Sequence, residues 1–441
     1  MDAQTIFALA SGRGRAGIAV VRVSGPYAGP ALERLAGRTP PPRRAVRALI
    51  RDGSGEILDD GLILWFPAPA SFTGEDVAEF HVHGGRAVID GLLQALGRCF
   101  GLRPADPGEF SRRAFANRKL DLTAAEGLAD LVEAETAAQR RQALRQLQGE
   151  LAGLYDGWRA RLLQALAHVE AAIDFADEDL PLDLEVGVGG SVRALAAELA
   201  AHLDDGRRGE RLRSGIEVAI VGPPNAGKSS LLNALAGRAA AIVSPHPGTT
   251  RDVVEVALDL GGYPVLLADT AGVRDGIDEV EREGVARARA RAQTADICLV
   301  VLDGARWPHA DQATHGLIDE TSIVVLNKAD LLGPGPYGLA GRTALPVSAL
   351  TGLGMPELVA ALEAAVAARF DTASAPVPTR LRHRAALETC LDALCRAPAA
   401  GSLELLAEDL RTAAAALGRI TGRVDVEQVL DVIFRDFCIG K

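Results

Sequence analysis

The chain has 441 residues, 48% of them hydrophobic and 24% charged, a length for two or three domains with cores of their own and a balance that excludes a disordered or fibrous chain. Its 47 basic and 58 acidic side chains give a formal charge of −11, which excludes a global basic field able to draw it onto any nucleic acid. The five cysteines, at 99, 298, 390, 395 and 438, form no CxxC and no Cys/His spacing for zinc. The amino terminus MDAQTIFALASGRG has no basic start followed by an apolar core, and no apolar run reaches about 18 residues, so a cytoplasmic chain without export or membrane span is the expectation.

From Thr5 to Leu120, β-like runs at Ile18–Val23, Leu62–Phe66 and Val77–His83 alternate with helical stretches such as Val88–Leu96, which predicts a small α+β domain over 1–120. His81 and His83 share a strand face, and without a third ligand nearby they read as a packed or solvent-facing pair rather than a metal site. From Leu122 to Phe175 the period changes: Leu144, Leu147, Leu151, Leu154, Trp158, Leu162, Leu166, Val169 and Ile173 recur three or four apart, the spacing of bundle helices over 121–212. Beyond Gly215, the runs Glu217–Val221, Val253–Leu258, Val265–Ala268, Ile297–Leu302 and Ile323–Leu326 predict the buried strands of a doubly wound α/β domain over 213–374. After the Pro-containing segment Ala373–Thr379, helical spacing returns at Leu387, Leu391, Leu394, Leu403, Leu406, Leu410 and Leu417. A helical domain in two pieces, 121–212 and 375–441, thus encloses the α/β domain. Cys390 and Cys395 fall in an apolar helix and read as core. Any RNA partner needs local basic patches; Arg207, Arg208, Arg211 and Arg213, then Arg380, Arg382 and Arg384, are the candidates, against the plainer reading of solvated arginines at domain edges.

Gly222-Pro-Pro-Asn-Ala-Gly-Lys-Ser229 matches GxxxxGK[ST] between a strand and a helix. In such a loop the backbone N–H groups of Asn225, Ala226 and Gly227 close around phosphate oxygens, Lys228 meets the β and γ phosphates, and Ser229 can ligate Mg²⁺. Asp269-Thr270-Ala271-Gly272 follows the next apolar strand, where Asp269 can hold the Mg²⁺ shell through water and Gly272 can sense the γ-phosphate. Asn327-Lys328-Ala329-Asp330 ends another strand, and the Asp330 carboxylate can accept two N–H bonds from guanine that adenine cannot offer. Ser348-Ala349-Leu350 can present backbone N–H to the guanine O6. Between them, Gly248-Thr249-Thr250-Arg251 occupies the place of a switch loop, with Thr250 as second Mg²⁺ hydroxyl. Val273 stands where Ras-like proteins carry a water-orienting glutamine; Asn225, as part of a monovalent-cation site, or Arg251 or Arg274 as an arginine finger, are the substitutes to weigh.

These motifs resemble the TrmE-Era-Septin-like GTPases. The flanks GRAGIAVVRVSG, SFTGEDVAEFHVHGG, PGEFSRRAFANRKLDLTAAEGLADL and the terminal FCIGK resemble the MnmE (TrmE) family of tRNA-modification GTPases across essentially the whole chain. The resemblance implies a multidomain α/β fold: an N-terminal α+β folate-binding and dimerisation domain, a discontinuous α-helical domain, and an inserted Ras-like doubly wound α/β G domain. It implies a homodimer that works with the FAD-dependent MnmG on C5 of the wobble uridine of tRNA, adding a carboxymethylaminomethyl or aminomethyl group and using GTP, Mg²⁺, K⁺ and a tetrahydrofolate derivative (5-formyl or 5,10-methylene). It extends the GTP-binding set to Ser230, Ser244, Pro245, His246, Pro247 and Gly248. It gives the K⁺ contacts to Asn225, Ser244, His246 and Thr249, and the Mg²⁺ contacts to Ser229 and Thr250. Glu281 takes the catalytic, water-orienting role left vacant by Val273. Arg22, Glu79, Lys119 and Lys441 take the folate, with Cys438 close to the last of these. Pro223 and Leu350 depart from the family's frequent arginine and its frequent lysine or arginine, at positions that act through backbone. A ribosome-assembly GTPase or a slow GTP-binding switch are the rival functions; the first has no use for a folate domain.

Overall fold

A computed structural model describes residues 4–12, 14–174, 183–238, 240–241, 255–269, 290–308, 315–333, 335–371, 375–399, 401–424, 430, 433–434, 437 and 440. The chain divides into two compact units, Met1–Ala129 with Leu147–Ala160 and Ala414–Lys441, and Asp130–Gln146 with Arg161–Ala413.

In the first unit, strands β1 (Thr5–Leu9), β2 (Ala16–Ser24), β3 (Val46–Arg51), β4 (Ile57–Phe66), β5 (Val77–Gly84) and β6 (Leu102–Pro104) form one sheet in the order β3-β4-β5-β2-β1-β6. Helices α1 (Ala28–Ala36) and α2 (Arg86–Gly97) cover one face. Val21, Val23, Ile50, Ile63, Phe80 and Val82 alternate along their strands and meet Leu32, Leu35, Leu92 and Leu96 in a shared core, each contributing about 1.5–3 kcal/mol by burial. The same alternation turns Arg22, Glu79 and His81 to the opposite face. There Ile6, Ala8 and Phe110, the last from α3 (Glu109–Ala116), make a smaller core with Phe72. Gly440 has a φ of 102°, and a Cβ there would collide with the Leu9 carbonyl oxygen at the end of β1. Helix α4 (Leu122–Glu133) starts where Asp121 accepts the Ala124 N–H at 2.9 Å, an N-cap.

The apolar pattern of the bundle region is continuous in sequence but does not make one helix. Helix α5 (Ala137–Leu147) stops before Gly149, whose φ of 85° is left-handed, and α6 (Glu150–Asp174) starts beyond it. The second unit continues with α7 (Asp183–Leu203) and α8 (Arg208–Ser214). Its large sheet is built from β7 (Ile216–Val221), β8 (Ala240–Ala241), β9 (Glu255–Leu260), β10 (Tyr263–Asp269), β11 (Ile297–Asp303), β12 (Ser322–Asn327) and, after the hairpin β13 (Gly338–Leu339) and β14 (Arg342–Thr343), β15 (Leu345–Val347). The order is β15-β12-β11-β7-β10-β9-β8. Pairing is parallel from β15 to β10 and antiparallel at β9 and β8. One face packs against α9 (Lys228–Ala236) and α10 (Met355–Phe370); the other buries Ala219, Val221, Cys298 and Val300. Helices α11 (Leu381–Arg396) and α12 (Leu403–Thr421) close the chain's helical part.

Four of the arginines offered as phosphate patches, Arg211, Arg213, Arg380 and Arg384, have carboxylate partners, while Arg207 is exposed. Arg384 is buried and pairs with Asp205 at 2.6 Å and Glu210 at 2.7 Å. Asp130 takes both Arg213 (2.9 Å) and Arg380 (2.7 Å), and Arg211 pairs with Glu217 at 2.9 Å and Asp296 at 3.1 Å. Apart from Arg211–Glu217, these pairs join residues far apart in sequence, so the charges clamp the two helical segments and the start of β7 together. Cys390 is buried as expected, but Cys395 is exposed: five residues along a helix turn the side chain well away from the first face.

His202, at the end of α7, provides a pH test of this region. Burial pushes its pKa down to about 4, opposed by Asp205 and assisted by Arg384. The folded value lies below the unfolded value of about 6.5. The associated stability is therefore complete above about pH 6.5 and is lost as pH falls toward 4, by up to about 3 kcal/mol. Amide exchange in α7 and α11 should accelerate between pH 6.5 and 4.5 beyond the intrinsic trend, and His202→Gln should remove that excess.

Candidate functional site

The carboxyl ends of β7, β10, β11, β12 and β15 lie side by side. Register pairs Asp269 with Ile220, Val300 with Val221, Asp303 with Asn327, and Asn327 with Val347. In open α/β sheets this edge is where ligands sit. The 222–228 loop leaves β7 there. Gly222 has a φ of 147° and lies so close to β11 that a Cβ would collide with the Val301 carbonyl oxygen, while Asn225 is left-handed at 63°. Helix α9 begins at Lys228, so Gly227, Lys228, Ser229 and Ser230 form its first turn, whose N–H groups have no intrahelical acceptor and mark the positive dipole end. The buried Lys228 ammonium donates to the Gly222 and Pro223 carbonyls, both at 2.9 Å. Its charge is held over the mouth of the loop, an arrangement suited to a multiply charged anion.

Asn327 ties this loop to its neighbours. Its buried amide donates to the Ala226 carbonyl at 2.8 Å, and its Oδ1 accepts the Ala349 N–H at 3.1 Å. A Cβ on Gly227 would strike the same amide. Lys328 is left-handed (φ 62°) and its ammonium reaches Asp303 at 2.7 Å. Burial works against the charge on Asp303, but the Lys328 ammonium and the Ala305 N–H hold its carboxyl below the ordinary range. Ala329 is buried and Asp330 exposed at the rim. Ser348 is fully buried and accepts the Thr351 N–H at 3.2 Å, and Leu350 is 89% exposed. The structure thus brings together Asn225, Ala226, Gly227, Lys228, Ser229, Ser230, Asn327, Lys328, Ala329, Asp330, Ser348, Ala349 and Leu350. Asp269 ends the adjoining strand.

A second cluster sits on the face of the first sheet opposite α1 and α2. Arg22 and Glu79 are direct cross-strand partners, with Arg22 Nε and Nη2 donating to one Glu79 oxygen at 3.0 and 2.9 Å while His81 meets the other at 3.1 Å. The guanidinium lies over Phe72 and Phe110, 5.2 and 5.9 Å from their centroids. Burial disfavours the Glu79 charge, yet His81 and Arg22 keep its carboxyl below the ordinary range, so it is an acceptor at neutral pH. Lys119 is exposed and donates to the Pro69 carbonyl at 3.1 Å; Pro69 and Phe72 share the loop between β4 and β5. His83 pairs with Asp59 at 2.8 Å, and among the described residues no group of His, Cys, Asp and Glu could hold a metal ion.

Ser244, Pro245, His246, Pro247, Gly248, Thr249, Thr250, Thr270, Ala271, Gly272, Glu281 and Lys441 lie outside the described residues, as do Arg251, Val273, Arg274 and Cys438. The sequence reading missed Asp303, although an acid closing an apolar strand two residues before Ala305 was visible. It also missed His81 as the second partner of Glu79, although the two lie two apart on one strand and so share a face, and it missed Phe72 and Phe110 beneath Arg22, which have no local signal.

A parallel sheet with a glycine loop feeding a helix at one strand end and Asn-Lys-x-Asp at another is the G-domain architecture of the GTPases, here carried by a chain with an α+β domain before it and helices on both sides. A family model described as the GTP-binding protein TrmE N-terminus matches residues 5–119, and one described as the MnmE helical domain matches 122–438: the chain belongs to the MnmE family. It is 61% identical to the tRNA modification GTPase MnmE of Paramagnetospirillum magneticum, over 99% of this chain and 100% of that protein. It is 59% identical to the namesake in Rhodospirillum rubrum, over the full length of both. The human mitochondrial 5-taurinomethyluridine-[tRNA] synthase subunit GTPB3 is 53% identical over 99% of this chain and 93% of its own length.

Proposed function

We propose that this chain hydrolyses GTP and, as a homodimer joined by the flavoprotein MnmG, modifies C5 of the wobble uridine of tRNA with a one-carbon unit from a tetrahydrofolate derivative. The observation that carries the GTP reading is the Asn327 bridge, which fixes the phosphate loop and the Ser348-Ala349-Leu350 loop in one frame. The N–H groups of Asn225 through Ser230 and the Lys228 ammonium take the phosphates, Asp330 accepts from the guanine edge, and the Ser348-Ala349-Leu350 loop, held by Asn327 through the Ala349 N–H, presents its backbone to O6.

The residues fit the groups this chemistry needs. Ser229, exposed at the positive end of α9, would with Thr250 hold Mg²⁺, which when bound neutralises charge between β and γ phosphates. Asn225 is exposed on a left-handed turn of the loop, and would with Ser244, His246 and Thr249 hold K⁺, a positive charge beside the transferring group. Glu281 orients the attacking water. In the first unit, the ionised Glu79 carboxylate suits the donors of an amino-pyrimidine ring, and Arg22, Lys119 and Lys441 suit folate carboxylates. The folate derivative supplies the one-carbon unit when bound. The overall test is mass spectrometry of tRNA nucleosides from a deletion strain; normal modified uridine there would overturn the function.

Asp330→Asn places an amide donor against guanine N1–H. GTP affinity should fall about a hundredfold, about 2.7 kcal/mol, with preference moving toward xanthosine triphosphate. Equal GTP affinity in the two proteins would remove Asp330 from base recognition. Turnover should run about tenfold or more faster in K⁺ than in Na⁺ at equal ionic strength, since K⁺ matches an oxygen-lined loop that Na⁺ fits poorly, and Asn225→Ala should erase the difference. Turnover indifferent to K⁺ would return the role to Arg251 or Arg274.

A further inference from the structure

A chain of charge −11 that acts on tRNA needs a local basic surface, and the clusters at 207–213 and 380–384 are largely consumed by Asp130, Asp205, Glu210, Glu217 and Asp296. Another concentration remains. Between residues 34 and 51 the sequence holds six arginines and no acid, on the end of α1, the connecting loop and the edge strand β3, and all six are exposed. Among the described residues, Arg34, Arg38, Arg43, Arg44 and Arg51 have no carboxylate partner; Arg47 pairs with Asp60 at 2.5 Å.

We infer that the rim formed by Arg38, Arg43 and Arg44 is a phosphate-backbone contact surface for the tRNA substrate, a surface that rests on the modification reading above. The Arg38 and Arg43 guanidiniums are held in place by groups that leave their charge intact. Arg38 donates to the Arg47 carbonyl at 2.5 Å, Arg43 donates to the Ala70 carbonyl and stacks 5.7 Å from the Phe66 ring centroid, and the Arg43 N–H donates to Trp65 at 2.9 Å. Carbonyl and ring partners orient a guanidinium without neutralising it, so its remaining donors stay available for phosphate oxygens. The nearby acids are spent elsewhere: Asp52 accepts from Ser54 and Glu56, Asp59 from His83, and Asp60 from Arg47. Glu33 accepts weakly from Thr39 at 3.4 Å, and Glu56 stands at the far hairpin tip.

Position adds the second argument. The loop of residues 67–76 receives Arg43 at Ala70 and carries Phe72, which lies under Arg22 of the Arg22–Glu79 cluster. A backbone held on this rim therefore lies on the same small domain as the one-carbon donor site, where the target base has to arrive. Phosphate contacts of this kind position a nucleic acid without reading its sequence, which leaves base choice to other groups.

The test uses full-length protein and a tRNA transcript with uridine at the wobble position, in fluorescence anisotropy across a salt series. Arg43→Ala with Arg44→Ala should weaken binding about tenfold at ~0.15 M salt and reduce the slope of log K against log salt by about 1.5, the loss of two phosphate contacts, with GTP turnover unchanged. Arg44→Glu should weaken binding further, and Arg51→Ala, at the hairpin end, should do little. Unchanged affinity and slope in the double variant overturn the proposal. So does a loss of flavoprotein binding with tRNA binding intact, which would make the rim a protein contact. A wild-type chain that binds no tRNA at low salt also overturns it, while normal wobble modification in the same strain would show that the modification reading stands without it.

Discussion

Lys228→Ala is expected to lower GTP turnover by about a hundredfold to a thousandfold and to abolish wobble-uridine modification in a complemented deletion strain. The ammonium is buried and fixed by two loop carbonyls at 2.9 Å, so its position is set before any phosphate arrives. A preorganised cation beside a transferring phosphoryl group contributes most where charge develops, and removing one such group typically costs two to three orders of magnitude, about 2.7–4 kcal/mol. Lys228→Arg should not rescue turnover, because the planar fork cannot take the place of a compact ammonium between the Gly222 and Pro223 carbonyls. The measurement is phosphate release with nucleotide affinity on the same protein. Turnover within a few fold of wild type would remove Lys228 from catalysis.

What the sequence revealed and what it hid follow the distance over which each feature is encoded. The 222–229 loop was legible because its requirements are local: glycines where a Cβ cannot stand, a lysine at the helix start, apolar runs on either side. The Asn327 bridge to Ala226 spans 101 positions and depends on two strands being laid in one register, which no window of sequence contains. Arg22 and Glu79 are 57 apart; their residue types alone suggested a surface arginine and a strand carboxylate, and only resemblance marked them out before the register made them partners. Strands β1, β3 and β6 and helices α1 and α3 went unnamed because they are short and their patterns ambiguous. The bundle region shows the opposite failure, a clear period that runs through Gly149 although the backbone breaks there. Composition could not decide the arginine clusters: charge counted along the chain does not tell whether an acid from another segment folds onto it, as Asp130 does on Arg213 and Arg380.

Arg22→Ala or Glu79→Ala is expected to eliminate modified wobble uridine in cells while purified protein keeps its GTP turnover within about twofold, because the two clusters stand on different sheets with separate cores. The two substitutions should not behave identically. Glu79→Ala leaves Arg22 over Phe72 and Phe110 with its charge uncompensated in a half-buried site, and so removes an acceptor and frees a cation. Arg22→Ala leaves Glu79 with His81 as its remaining described ion-pair partner, and it moves the carboxyl pKa up by removing the Arg22 attraction. Glu79→Gln separates charge from shape: it keeps a carbonyl acceptor for an amino-pyrimidine but loses the ionic hold on Arg22, and it should retain part of the activity. Binding of a tetrahydrofolate derivative measured by calorimetry from pH 6 to 8, beside the nucleoside profile and the phosphate-release assay, distinguishes these outcomes. Full wobble modification with Arg22→Ala and with Glu79→Ala would move the folate site elsewhere in the domain, and parallel loss of GTP turnover would mean that the first unit supports the second rather than acting on the one-carbon donor.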